Sequence, residues 1–301
     1  MSHDQGHAHH SRGYTDFSRA FAIGVALNAA YVVAQIVFGI AAHSLALLAD
    51  AGHNFGDVLG LVLAWCAIYL GKTRATDRRT YGLGRSSILA ALANAILLMV
   101  AVGGITWEAI RRFSNPGAVS GLTVMIVAAL GIVINGVTAM FLLGGDKRDL
   151  NIKGAFLHMV ADAAVSAGVL VTGVVILFTA WHWIDPVASL VINSVIVWGT
   201  WGLLRRSLSM ALDLVPENVD AVAVRRFLET QKGVTAVHDL HIWPLTTTRT
   251  ALTVHLEMPD GSAGDAFLHQ LCERLQDQFD IEHSTIQIEQ NAEACSLAPE
   301  H

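Results

Sequence analysis

Charge and cysteine are both scarce in this chain of 301 residues. Only 15% of residues are Asp, Glu, Lys or Arg against 53% hydrophobic, a balance that excludes an ordinary soluble domain. Mean hydropathy, at +0.49, says the same. The three cysteines, Cys66, Cys272 and Cys295, are widely separated and form no C-x-x-C pair, which argues against a zinc ribbon, a redox dithiol or disulfides. No His-Glu-x-x-His run and no paired serine nucleophile appear, which disfavours an intramembrane metalloenzyme or protease. A net charge of −6 gives no footprint for nucleic acid. The polar opening residues lack the short apolar core of a cleaved secretory signal.

What is present is apolar sequence in long runs. A crossing needs about 20 residues, and runs near 18–41, 44–70, 86–110, 119–144, 155–180 and 186–208 meet that length. The chain thus divides into a histidine-rich tail (1–16, with His3, His7, His9 and His10), a six-span transmembrane domain (17–212), a mixed domain (213–290) and a short tail (291–301). The first tail reads either as a weak metal binder or as a solvated segment with no role. Basic residues gather on one side of the spans: Arg12 and Arg19, the stretch Lys72–Arg85, Lys147–Lys153, and Arg205 with Arg206. The opposite connections carry only Arg111 and Arg112. Both termini and the mixed domain are therefore expected in the cytoplasm, in an integral protein surrounded by lipid. Trp107, Trp181 and Trp183 suit interfacial anchors, and Glu108 suits an interfacial ion pair with the two arginines.

Two spans are interrupted by the same pattern, His53-x-x-x-Asp57 and His158-x-x-x-Asp162. Residues four apart share a helix face, so each span aims an imidazole and a carboxylate at one place. An ionisable residue at membrane depth costs roughly 2.5 kcal/mol or more, so these four are expected to face one another or a cavity. Asp50, Asn54 and Asp57 extend the polar stripe of the first span, and Ser166 extends that of the second. Small residues alongside (Gly52, Gly56, Ala155, Ala161, Ala163, Gly168) would let helices approach. Gln35, Asn94, Asn135 and Asn193 read as interhelical hydrogen bonders, and Cys66 as packing.

Zinc suits the set, taking four nitrogen and oxygen ligands at about 2.0–2.2 Å where magnesium and calcium prefer oxygen shells of six or more. Two neutral imidazoles and two carboxylates balance a divalent cation, which matters where an uncompensated charge is expensive. Because ligands bind metal only when deprotonated, metal and protons compete. If the site opens to each side in turn, the same four residues couple metal export to proton import. Cobalt and cadmium fit the same donors. A passive channel or a metal sensor is the remaining alternative.

Beyond residue 213 the pattern becomes helix, strand, strand, helix, strand. Pro216–Gln231 and Gly264–Phe279 have helical periodicity, whereas 234–243, 249–258 and 284–289 alternate as strands. This αββαβ order predicts a small two-layer α+β domain attached to an all-α membrane domain. Histidines are dense here: His238, His241, His255, His269 and His283. In a regular strand His241 faces away from His238.

The run Ser44-Leu-Ala-Leu-Leu-Ala-Asp50-Ala-Gly-His53, the second His158-x-x-x-Asp162, the six spans and Val237-His-Asp-Leu-His-Ile-Trp243 together resemble the cation diffusion facilitator family, in its bacterial zinc-exporting branch. The resemblance extends over about 17–290. It implies a homodimer in the bacterial inner membrane that exchanges cytoplasmic metal for external protons by alternating access. It implies a transport site at His53, Asp57, His158 and Asp162, with His53 favouring zinc, and a ferredoxin-like cytoplasmic domain. It also implies a zinc site there, mapped onto His238, His255, His283 and Glu289. The loop Arg74–Arg85 holds no His, which departs from relatives that place a further zinc in it.

Overall fold

The computed structural model describes residues 11–71, 73, 75–114, 117–143, 150–261 and 264–290, with side chains from Ala26 onward in the first helix and from Phe156 in the fifth. The histidine-rich segment His3–His10, the basic pair Lys147–Arg148 and Cys295 lie outside the described residues.

Six long helices come first: α1 (Ser11–Ala41), α2 (Leu45–Gly71), α3 (Ser86–Ser114), α4 (Gly121–Leu143), α5 (Leu150–Thr179) and α6 (Ile184–Ala211). Five of them, α2 to α6, contain apolar stretches long enough to cross a membrane, and the described apolar part of α1, Ala26–Ala41, is shorter. They are apolar on most sides, which is why Trp198 (84% exposed) and Phe178 (82%) lie on the surface without a protein partner to cover them. The C-terminal part follows as α7 (Ala221–Glu229), β1 (Ala236–Pro244), β2 (Thr250–Glu257), α8 (Asp265–Phe279) and β3 (His283–Glu289), the expected αββαβ order.

The described residues form two compact units: the chain up to Leu61 with Asn94–Trp201, and Val62–Ala93 with everything from Gly202 onward. In the first, Leu47, Val102, Val124, Val169 and Ile192 belong to one apolar core. The closest helix approach is between α4 and α5. A Cβ on Gly121 would stand 2.7 Å from the Gly173 carbonyl oxygen, so only glycine fits the crossing. Among the small residues singled out along the polar stripes, Gly56 meets Leu98 of α3, whereas Gly168 has open space beside it.

The N-terminus of α2 is capped from another helix. The Asp185 carboxylate, fully buried in the first turn of α6, accepts from Leu45 N (2.6 Å) and Ala46 N (3.3 Å) and from Ser44 Oγ (2.5 Å). Ser44 Oγ in turn accepts from Leu47 N at 3.1 Å. The first amides of a helix have no partner within it, and an anion placed there satisfies them and complements the helix dipole. At the same end Glu108 pairs with Arg112 (3.2 Å) and Arg111 (3.7 Å) as the spacing suggested, and Arg112 also donates to the His43 carbonyl. Trp181 and Trp183 stack with ring centroids 6.0 Å apart.

In the second unit, a three-stranded sheet of order β1-β2-β3 packs one face on α7 and α8. β1 and β2 are antiparallel, and β2 and β3 are parallel through the α8 crossover. Alternation sends Leu252, Val254 and Leu256 inward against Val224 and Leu228 of α7 and Leu271 and Leu275 of α8. Helix α7 starts later than the sequence suggests. Asp220 accepts from Val222 N and Ala223 N and so fixes the start at Ala221, leaving 216–219 outside it. The segment before α3 also belongs to this unit: Arg85 pairs with Asp213, Thr247 N donates to Ser87 Oγ at 3.1 Å, and the Tyr81 ring meets His283 edge-on at 5.6 Å.

Replacing Asp185 by Ala strands these buried donors and is expected to destabilise the helical part by about 2 kcal/mol or more. Thermal unfolding of the purified protein in detergent checks this, with Ser44→Ala expected to cost less because it removes one of the three donors.

Candidate metal centres

Helices α2 and α5 bring the repeated pattern together. His53 Nε2 lies 3.1 Å from Asp162 Oδ1 and 3.8 Å from Asp57 Oδ2, and His158 Nε2 lies 3.3 Å from Asp57 Oδ2 and 3.6 Å from Asp162 Oδ2. The four side chains close into a ring in which imidazole and carboxylate alternate. The histidine rings are 6.0 Å apart and nearly perpendicular, and occupy opposite corners. In a tetrahedron with bonds of about 2.0–2.2 Å the ligand–ligand edge is about 3.3–3.6 Å, close to the spacing of this ring. Donor atoms of His53, Asp57 and Asp162 lie mutually within 4.8 Å, and His158, the most exposed of the four, completes the ring from the other side of the two carboxylates.

The site lacks something that a cation supplies. Asp57 Oδ2 is buried and lies 3.3 Å from His158 Nε2 without a well-aligned hydrogen bond among the described residues, and Asp162, 1% exposed, faces His53 at 3.1 Å. Two carboxylates this close together repel when both are ionised, and a divalent ion between them would offset that cost.

Asp50, one turn away on α2, is aimed elsewhere. Its fully buried carboxylate accepts from Gln35 Nε2 (2.7 Å), Ser166 Oγ (3.1 Å) and Asn54 Nδ2 (3.4 Å), and Gln35 Oε1 accepts from Asn54 as well. Gln35 also donates to Tyr31 Oη, which donates to the Val127 carbonyl. This network ties α1, α2, α4 and α5 behind the metal ring. It explains Gly131, where a Cβ would stand 2.0 Å from Tyr31 Oη. Gln35 thus bonds between helices as the sequence suggested, and so does Asn193, which donates to Thr106 at 2.9 Å. Asn94 Oδ1 and Asn135 Nδ2 make no hydrogen bond among the described residues. Tyr31 carried no sequence signal, because one tyrosine in an apolar run looks like packing.

The C-terminal sheet holds a second cluster on the face away from its helices. Glu289 lies between two imidazoles, with Oε2 3.0 Å from His238 Nε2 and Oε1 3.0 Å from His255 Nδ1. All three donor groups lie within 4.8 Å of one another. Strand pairing sets this: His238 is opposite His255, and Glu257 is opposite Glu289 on the neighbouring strand. His283 is not brought to the cluster. It pairs with Ala251 at the far end of β3, six residues from Glu289, and at about 3.3 Å per residue that distance is too great for a shared ion. The expected opposition of His241 and His238 also fails. A bulge between them sets three steps of β1 against two of β2, and His241 comes opposite Thr253, on the same face as His255. His269 lies exposed on α8. Burial pushes the Cys272 thiol up, which keeps it protonated and a poor ligand.

Comparison with known proteins matches residues 21–212 to the cation efflux transmembrane domain family and residues 216–291 to the cytoplasmic domain of cation efflux proteins. The cation efflux system protein CzcD of Alcaligenes sp. is 37% identical over 286 residues, 94% of this chain and 90% of that protein. A cadmium, cobalt and zinc/H(+)-K(+) antiporter of Bacillus subtilis is 34% identical, covering 87% of this chain and 86% of its own length. The zinc transporter ZitB of Pectobacterium atrosepticum is 32% identical, covering 93% and 88%.

Metal counting on purified protein tests both clusters. With Glu289 and His238 replaced by Ala, one zinc is expected to remain, and adding Asp162→Ala is expected to weaken it by more than about a hundredfold, beyond the usual cost of losing an outer partner. His283→Ala is expected to leave the count unchanged.

Proposed function

Since the chain belongs to the cation diffusion facilitator family and is an integral-membrane metal-cation efflux transporter, we propose that it exports zinc in exchange for protons, as a homodimer alternating between two open states. The observation that carries this reading is the ring of His53, Asp162, His158 and Asp57, whose spacing suits a four-coordinate ion and whose charge a divalent cation balances. Each ligand binds zinc only in its deprotonated form, so arriving metal displaces protons and departing metal is replaced by them. Two carboxylates facing each other in a low-dielectric medium repel unless a cation or a proton lies between them, which discourages an empty, unprotonated site from crossing between states. That is the physical basis of obligatory exchange.

The ring is built from two helices only, so a shift of α5 against α2 changes all four ligand distances together. Small helix displacements then suffice to bind or release the ion. The network of Asp50, Gln35, Asn54 and Ser166 ties the two helices together by hydrogen bonds to the Asp50 carboxylate beside the site.

In this reading the basic residues place both termini and the C-terminal domain in the cytoplasm of a bacterium, with the protein in the inner membrane. His238, His255 and Glu289 would hold a resident zinc there, the donor set and its spacing suiting that ion. The C-terminal domain, matched to a family described by dimerisation, would support the paired assembly. A second reading, export of cobalt or cadmium alongside zinc, is favoured by the names of the CzcD and Bacillus relatives and by a donor set that does not discriminate among these ions.

Zinc uptake into proteoliposomes under an imposed pH gradient tests the proposal. Flux is expected to rise with the gradient and to vanish in Asp162→Ala, which still assembles as a dimer. Flux that ignores the gradient would remove proton coupling, and equal flux in Asp162→Ala would remove the site.

A further inference from the structure

The β1 bulge places a carboxylate in a position that the zinc site does not itself require. Asp239 has φ +49°, a left-handed conformation that side chains other than Gly, Asn and Asp rarely adopt. It sits between His238 and His241, where the register of β1 against β2 slips. From there its Oδ2 reaches His255 Nε2 at 3.5 Å, and its Oδ1 lies 2.9 Å from His241 Nε2. The other nitrogen of His255, Nδ1, faces Glu289 at 3.0 Å. The His255 ring, 8% exposed, is therefore held between two carboxylates on opposite edges, one inside the candidate metal cluster and one outside it.

We propose that Asp239 is a positioning residue for the C-terminal metal site: its Oδ2 accepts from the Nε2–H of His255, which keeps the proton on Nε2 and presents Nδ1 to the ion between His238 and Glu289. The inference rests on the reading of His238, His255 and Glu289 as a zinc site. An imidazole that binds a metal through one nitrogen donates its other N–H to a carboxylate, which fixes both tautomer and ring angle and strengthens the ligand. Here the donor and acceptor fall on the two sides that this requires. The left-handed conformation falls at the register slip between His238 and His241, and it is this turn of the backbone that brings the Asp239 carboxylate to the two histidines. His241 is then the outer anchor. Its Nε2 occupies the second oxygen of Asp239, which leaves Oδ2 for His255 and limits rotation of the carboxylate. Asp239 and His241 of the Val237-His-Asp-Leu-His motif thus serve to orient a ligand on the next strand and do not ligate.

The test uses full-length protein carrying Asp162→Ala, so that the transport site is silent, and measures zinc affinity by competition with a chromogenic chelator. Asp239→Gly suits the left-handed backbone and is expected to leave the metal-free melting temperature unchanged or raised. The same variant is expected to weaken zinc binding by about 10- to 100-fold. Asp239→Asn keeps an acceptor oxygen in a residue that also tolerates this backbone, and is expected to lose less affinity than Gly. Parental affinity in Asp239→Gly overturns the proposal; should that variant fail to fold, parental affinity in Asp239→Asn overturns it instead. Glu289→Ala separates this from failure of the site itself. Loss of zinc there with full retention in the Asp239 variants refutes only the positioning role, whereas full retention in Glu289→Ala refutes the site on which it depends.

Discussion

Four ionisable side chains inside apolar helices are the constraint on which the rest of the membrane part depends. His53, Asp57, His158 and Asp162 lie within apolar helices, where an unpaired ionisable group is costly, and each is placed within 4 Å of two groups of the opposite type. The pairing is incomplete, since Asp57 Oδ2 is buried and has no well-aligned hydrogen bond among the described residues, only His158 Nε2 at 3.3 Å. In the proposed reading an incoming divalent cation takes the place between the two carboxylates that is left by this incomplete pairing. The surrounding helices serve the same end: Gly121 and Gly173 bring α4 against α5, and Gly131 makes room for Tyr31 beside the Asp50 network.

Distance from the ring is managed by local rules familiar from soluble proteins. Asp185 caps α2 from the start of α6, so the helix that carries His53 and Asp57 is fixed at its first residues by a buried anion. In the C-terminal domain one sheet face is used for packing, with Leu252, Val254 and Leu256 against two helices, and the other for chemistry. Period-two alternation puts both functions on the same strands, because His255 lies between Val254 and Leu256. A bulge then adds Asp239 and His241 to the chemical face without disturbing the packed one.

Periodicity made much of this legible. The 3.6-residue repeat is enough to align His53 with Asp57 and His158 with Asp162, and hydropathy with the αββαβ order gave both parts of the architecture. What could not be read depends on register and on contacts between elements. The family resemblance places His283 with Glu289, yet the two stand at opposite ends of β3, too far apart to share an ion. Regular alternation would put His241 on the face opposite His238, and the bulge that breaks it leaves no distinct mark among His, Asp and Leu. The partners of Asp50 and Asp185 lie on other helices, so nothing near them in sequence distinguishes a network from a ligand or a helix cap. The start of α7 shifted for a related reason, Asp220 being a better cap than the Pro-Glu pair before it.

The central claim is that metal and protons occupy the same four side chains in turn. Proton release on zinc addition, recorded in weakly buffered solution for the purified protein and for the Asp57→Ala, Asp162→Ala double variant, tests it most directly. The account predicts protons released by the wild type beyond those released by the double variant, saturating as the extra zinc binds. Zinc binding to the wild type with no excess of protons over the double variant would contradict it.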